Sequence, residues 1–286
     1  MKPRSSTYCR KVTLGCLLLL VTSSRPLPAQ PASAAVSAFH AYAQQVESRL
    51  ARQHQSGDTF LAFTAPDPLN EAARLRSGEL IIQQLTPSAG AELSGSLLHH
   101  WRGTAFVPGA RAADFERLTQ DFKTYPQHFS PQVLQARLIA QNGDRMQAWM
   151  RVRQQHVVPV VLDTTYDITY RRLDNQHGYS ISRSTRIDEI YAAGTAAERA
   201  LNADEEHGFL WQLNTYWSYE EKDGGLYLQI EAVSLTRSIP HGLGWMIRPY
   251  VESIPRDSLE FTLRSACNAL RKETKSISPS MERTER

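Results

Sequence analysis

The chain has 286 residues, 41% of them hydrophobic, with 32 basic residues against 29 acidic ones and a net charge of +3. That length is ample for a buried core, and a charge so close to balance gives little support to a dedicated nucleic-acid binder. Five of the basic residues (Lys2, Arg4, Arg10, Lys11 and Arg25) lie in an N-terminal stretch that contains no acid. Val12 to Val21 is apolar there, and Ala32-Ser33-Ala34 offers a small-residue cleavage pattern. This is the layout of a secretory signal peptide over residues 1–34. An uncleaved anchor stays open as the other reading, although the run is short for a bilayer span. Cleavage after Ala34 would leave 27 basic residues against 29 acidic, a net charge of −2. Cys9 and Cys16 would leave with the leader, so Cys267 could form no internal disulfide. The expected product is exported, soluble, and periplasmic or extracellular.

Residues 36–54 carry Phe39, Tyr42, Ala43, Val46 and Leu50 at helical spacing and read as an amphipathic helix that packs on the domain. Residues 55–78 read as irregular, broken at Pro66-Asp67-Pro68, and Glu79 to Leu85 as a short strand. Leu97 to Val107 is the first long strand. Its adjacent His99 and His100 face opposite ways, so they cannot share one metal; one is expected inside and the other in solvent. Ala112 to Lys123 has Phe115, Leu118 and Phe122 on one helical face. Val133, Leu134 and Leu138 lead to a turn at Asn142-Gly143-Asp144.

Three alternating segments follow, at Met146 to Val152, Thr164 to Arg172 and Gly178 to Ile190. Arg151, Arg153, Arg171, Arg172, Arg183 and Arg186 stand among them beside interleaved acids, which suits the solvated face of an antiparallel sheet. An anion site is the alternative. Ala192 to Glu206 reads as a polar connection with a helical turn at Ala196 to Leu201.

Gly208 to Arg237 reads as two long strands joined at Lys222-Asp223-Gly224-Gly225, whose residues suit a tight hairpin turn. Phe209, Trp211, Leu213, Thr215, Trp217 and Tyr219 share one apolar face, and the residues between them are mostly polar. Ile239-Pro240-His241-Gly242 ends the sheet. Arg248 to Lys272 reads as a long helix with Leu259, Leu263, Ala266, Cys267 and Leu270 in one stripe, and residues 273–286 as a frayed tail. Cys267 belongs to that stripe and is a core residue. A sheet with one apolar face must cover it, and the last helix is the element long enough to do so.

The order of elements, Tyr125-Pro126, the Gly208 to Arg237 hairpin, Ile239-Pro240 and Pro255-Arg256-Asp257-Ser258-Leu259 resemble the START-like (SRPBCC, helix-grip) superfamily. It includes lipid-transfer domains, polyketide cyclases and dehydrases, and coenzyme-Q-binding proteins. The resemblance covers about residues 95–272, leaving 35–94 as an N-terminal extension. It implies an α+β fold, with a curved antiparallel sheet wrapped around a long C-terminal helix. It also implies a cavity between the two for a hydrophobic small molecule of lipid or isoprenoid type. No catalytic residue carries over from it, because the superfamily has no universal catalytic motif.

The residues put forward as ligand-binding are His99, Tyr166, Tyr170, Trp211, Leu213, Trp217, Glu231 and Arg237. For the aromatic ones the plainer role is filled core, and for Glu231 and Arg237 a salt bridge at the sheet edge. A cyclase-like enzyme would instead use His99, Tyr166, Tyr170 or Glu231 for acid–base work. A third reading is an interaction protein that docks a partner through residues 36–94. No cofactor and no metal are expected, since G-x-S-x-G, H-E-x-x-H, C-x-x-C and phosphate-loop patterns are all absent. No nucleic acid is expected as partner, and transient membrane contact is left open.

Overall fold

The computed structural model describes residues 30–281 except 57–59, 64–67, 87–90, 94, 156–158 and 239–243. Of 91, 92, 155, 244–252 and 275–281 only the backbone is described. The body of the leader, Pro66-Asp67 and Ile239 to Gly242 therefore lie outside the described residues. The elements begin with α1 (Ser33–Gln53), α2 (Pro68–Arg76), β1 (Ile81–Gln84), β2 (Ala91–Leu93) and β3 (Ser96–Pro108). Next come α3 (Ala112–Gln120), α4 (Tyr125–His128), β4 (Val133–Asn142), β5 (Arg145–Gln155), β6 (Pro159–Arg172) and β7 (His177–Tyr191). The chain closes with β8 (Arg199–Ala200), β9 (Gln212–Lys222), β10 (Gly225–Arg237) and α5 (Gly244–Met281).

Asp223 and Gly224 both take positive φ, +56° and +74°, so a two-residue turn joins β9 to β10 in tight register. Around this hairpin the antiparallel sheet runs β1-β3-β10-β9-β7-β6-β5-β4, with β2 and β8 pairing off the main path. The fold is the expected α+β helix grip. Strand partners share a face, which makes two faces explicit. The inner face, toward α5, carries Trp217 opposite Ile230 and Thr215 opposite Ala232. The outer face carries Tyr216 opposite Glu231 and Ser218 opposite Gln229.

The amphipathic stripe of α5 buries Leu259, Leu263, Ala266, Cys267 and Leu270 against α3, β3 and β10. Contact is closest at Gly103 on β3. A Cβ there would stand 2.6 Å from Leu259 Cδ2 and 3.0 Å from Leu263 Cδ2, so the missing side chain lets the helix approach. Burial raises the Cys267 thiol to about 11, which keeps it protonated and inert as a nucleophile.

Several expectations change on the structure. α1 covers the outer face, burying Ala35, Phe39, Val46 and Leu50 against Leu98, Tyr216, Val233 and Leu235. The sheet is thus covered on both sides, and His99 and His100 are 1% and 2% exposed instead of divided between core and solvent. α2 forms inside the segment expected to be irregular, and Val133–Asn142 is a full edge strand. The connection at 192–206 contains β8 and no helical turn. α5 runs on to Met281, past the expected end at Lys272.

Candidate ligand site

A cavity of about 260 Å³ lies between the inner face and α5. Its origin is visible in the strand register. Two rows of residues cross β6, β7, β9 and β10, each row holding mutually paired positions. One reads Tyr170, Ser180, Trp217, Ile230, and the next reads Ile168, Ser182, Thr215, Ala232. The large rings flank a centre made of serine, threonine and alanine. Across from that centre α5 presents Ser258, Leu259, Thr262 and Ala266, with small side chains again prominent. Small side chains on both walls leave space that the neighbouring rings do not fill. Phe122, Tyr125, Phe129, Met150 and Phe261 close the remaining sides.

The chemistry of the lining is mostly apolar. Among the described residues that line it, Arg153 is the only one of a type charged at neutral pH, and no carboxylate, imidazole or thiol is present. The phenols are neutral: burial pushes the Tyr166 hydroxyl up to about 12 and raises those of Tyr170 and Tyr125 as well. Two of them are spoken for, since Tyr125 and Tyr170 both donate to the Thr119 carbonyl, at 2.6 and 2.7 Å. No group of three His, Cys, Asp or Glu residues converges to hold a metal among the described residues.

Of the residues singled out in the sequence, Tyr166, Tyr170, Leu213 and Trp217 line this cavity together. The other four do not. His99 lies on the inner face beside it, its Nε2 3.2 Å from the hydroxyl of the lining residue Thr236, and burial holds the imidazole down at about 4. Trp211 precedes the start of β9, where the alternation no longer applies, and packs against the outer-face cluster under α1. Arg237 donates to the His207 carbonyl at 3.3 Å. Glu231 is on the outer face. The lining residues that went unnoticed are Ser180, Ser182, Thr215, Ser234 and Ser258. The period-two run of serines at 180, 182 and 184 in β7 was the signal that could have found them.

The outer face handles its polar groups in the opposite way. Glu231, 1% exposed, pairs with Arg49 from α1, accepts from Arg102 Nε at 2.9 Å and accepts from His100 Nε2 at 2.8 Å. Burial alone would raise its pKa, but the His100 hydrogen bond and the charges of Arg102 and Arg49 override that and hold it at about 2. Burial lowers the pKa of His100, so its ring is neutral and its contact with Glu231 is a hydrogen bond. Donation from Nε2 leaves Nδ1 to accept from Tyr42 Oη at 3.0 Å. Below this cluster Gln229 exchanges hydrogen bonds with both backbone groups of Ala62, and His54 Nε2 sits 2.8 Å from Ser218 Oγ.

No protein-family model matches the chain, and no curated protein matches it. Solved structures of similar shape include the Zhui aromatase/cyclase of Streptomyces sp. R1128, at 13% identity and a TM-score of 0.43, covering 62% of this chain and 94% of that one. Another is a STAR-related lipid transfer protein of Xanthomonas axonopodis, at 16% identity and a TM-score of 0.39, covering 68% and 98%. Human STARD10 is a third, at 8% and 0.42, covering 77% and 86%. The sheet order, the long terminal helix and the cavity between them define a helix-grip scaffold. What this scaffold holds has to be argued from its own lining.

Proposed function

We propose that this chain is an exported START-like protein that binds an apolar small molecule, of lipid or isoprenoid type, between the sheet and α5. The supporting observation is the cavity itself: about 260 Å³, walled largely by aromatic and aliphatic side chains, with no group poised for proton transfer at neutral pH among the described lining residues. Ligand sites of drug-sized molecules span about 300–1,000 Å³, so the occupant is compact, or a larger molecule inserts one portion. Of the four groups that cyclase chemistry could draw on, two lie outside the cavity lining. Glu231 is on the far face, His99 is outside the lining, and the two tyrosines are held neutral. Phe209 lines the cavity and is 36% exposed, which suits transient contact with a membrane during loading.

Export belongs to this proposal. α1 begins at Ser33, Ala35 is 1% exposed, and the Ala35 amide donates to the Ala32 carbonyl. Removing a leader after Ala34 would cut into that first turn, which supports a processing bond upstream of Ser33. The test is to isolate the protein from the exported fraction, sequence its N terminus, and extract it with organic solvent for mass spectrometry. One apolar compound per chain is the expected result. A protein that arrives empty and binds no hydrophobic probe would refute the carrier reading, and retention inside the cell with an intact N terminus would refute export.

A further inference from the structure

The cavity wall carries hydroxyls that the protein itself does not use. Among the described residues, Ser180, Ser182, Thr215, Ser234 and Ser258 all line the cavity, and none of their hydroxyls has a protein hydrogen-bond partner. Ser180 and Ser234 are 6% and 5% exposed, and Ser258 Oγ is fully buried. Ser182 and Thr215 are direct partners across β7 and β9, and Ser180 is two residues from Ser182 on the same face. Four of them, on β7, β9 and β10, form a band across the sheet wall of a mostly apolar space, and Ser258 faces that wall from α5. Ser184, next in the same alternation, is outside the lining and accepts from the Leu213 amide at 2.9 Å. Along β7 the serine hydroxyls without a partner are thus the two that meet the cavity.

A buried hydroxyl without a partner costs free energy, and an alanine, valine or cysteine at the same position would avoid that cost. The polar side chains around Glu231, Gln229 and Ser218 on the outer face are satisfied by protein groups, and Ser96 Oγ is an isolated buried hydroxyl there without a partner, whereas the cavity gathers five. We infer that the band is a reading surface for oxygens of the ligand. The ligand is then a neutral, compact, apolar skeleton bearing hydroxyl or carbonyl oxygens along one flank, and not a fatty-acyl chain with a charged head. Among the described lining residues Arg153 is the one of a charged type, so an anionic head beside it is the competing occupant, which the dodecanoate probe decides. This inference rests on the cavity being a ligand site.

The test uses the full mature chain and three probes of one shape: tetralin, 1-tetralone and 5-hydroxy-1-tetralone, with dodecanoate as the charged-chain probe. Calorimetric titration is expected to show each added oxygen tightening binding about fivefold to tenfold, the size of one net hydrogen bond. Thr215→Val, Ser182→Ala and Ser234→Ala are expected to remove much of that gain for the ketones while leaving tetralin within about twofold. Circular dichroism and the melting temperature of each variant show that it is folded. Equal binding of tetralin and the ketones, ketone affinities that none of the three variants changes, or a preference for dodecanoate would overturn the inference and leave the carrier reading standing. Failure of all four probes to bind would overturn the carrier reading itself.

Discussion

The two faces of the central sheet carry comparable numbers of polar side chains and dispose of them differently. Under α1, Glu231, His100, Arg102, Gln229 and Ser218 each meet protein partners at hydrogen-bonding distance. Under α5, Ser180, Ser182, Thr215, Ser234 and Ser258 meet none. A buried polar network that is fully satisfied holds two elements in one arrangement, whereas one left open asks for something that the chain does not supply. The outer face thus docks a helix of the same chain, and on the proposed reading the inner face receives a molecule from outside.

The largest expected effect breaks the outer side of this contrast. Glu231→Ala leaves Arg102, whose side chain is 12% exposed, without its carboxylate, and should cost about 3–5 kcal/mol in denaturant unfolding. Probe binding on the inner face should stay within about twofold. A variant as stable as the parent would show that the network does not hold α1.

Acid should act next, on both faces, since His54 and His100 belong to the outer one and His99 to the inner one. Burial lowers the pKa of His54 and His99 to about 4, and lowers that of His100, from an ordinary value of 6.5. The unfolded chain therefore binds more protons, and stability present above pH 6.5 is lost as pH falls toward 4. The loss is on the order of 2 kcal/mol by pH 5 for each of His54 and His99. Glu231 adds a second stage, because its stabilisation is present above about 4.5 and lost as pH falls through about 2. Urea midpoints measured from pH 8 to pH 3 should fall in that sequence, and a flat profile between pH 7 and 5 would contradict it.

On the inner side, Gly103→Ala drives a methyl into Leu259 and Leu263 of α5 and should cost about 1–3 kcal/mol. Because Leu259 also lines the cavity, probe affinity should fall with it. Unchanged affinity alongside lost stability would separate the helix seat from the ligand site. The smallest effect is expected of Thr215→Val without ligand. The substitution keeps the shape and removes a hydroxyl that has no protein partner, so stability should be unchanged or slightly raised. A loss of more than about 1 kcal/mol would mean that the hydroxyl serves the fold after all.

The sheet, its hairpin and the terminal helix were legible because alternation, a Lys-Asp-Gly-Gly turn and a helical apolar stripe are local signals. The site was legible in part. Trp217, Leu213, Tyr166 and Tyr170 follow from reading the aromatic face inward. Glu231 was misplaced because a two-residue turn at Asp223-Gly224 pairs it with Tyr216, on the opposite face from Trp217; turn and register together would have shown this. The band of small hydroxyls was not legible because alternating serines also suit a solvated strand face, and the cavity exists where side chains are small. What no local pattern could show is that α1 would satisfy the polar face, since Arg49 and Glu231 lie 182 residues apart.

The central claim is that a ligand enters on the α5 side and nowhere else, and amide chemical-shift mapping with 1-tetralone tests it most directly. Perturbations should cluster at Ser182, Thr215, Ala232 and Leu259 and leave Ser218, Gln229 and Glu231 unmoved. Shifts centred on the α1 side, or a saturating titration that moves neither set, would contradict the account.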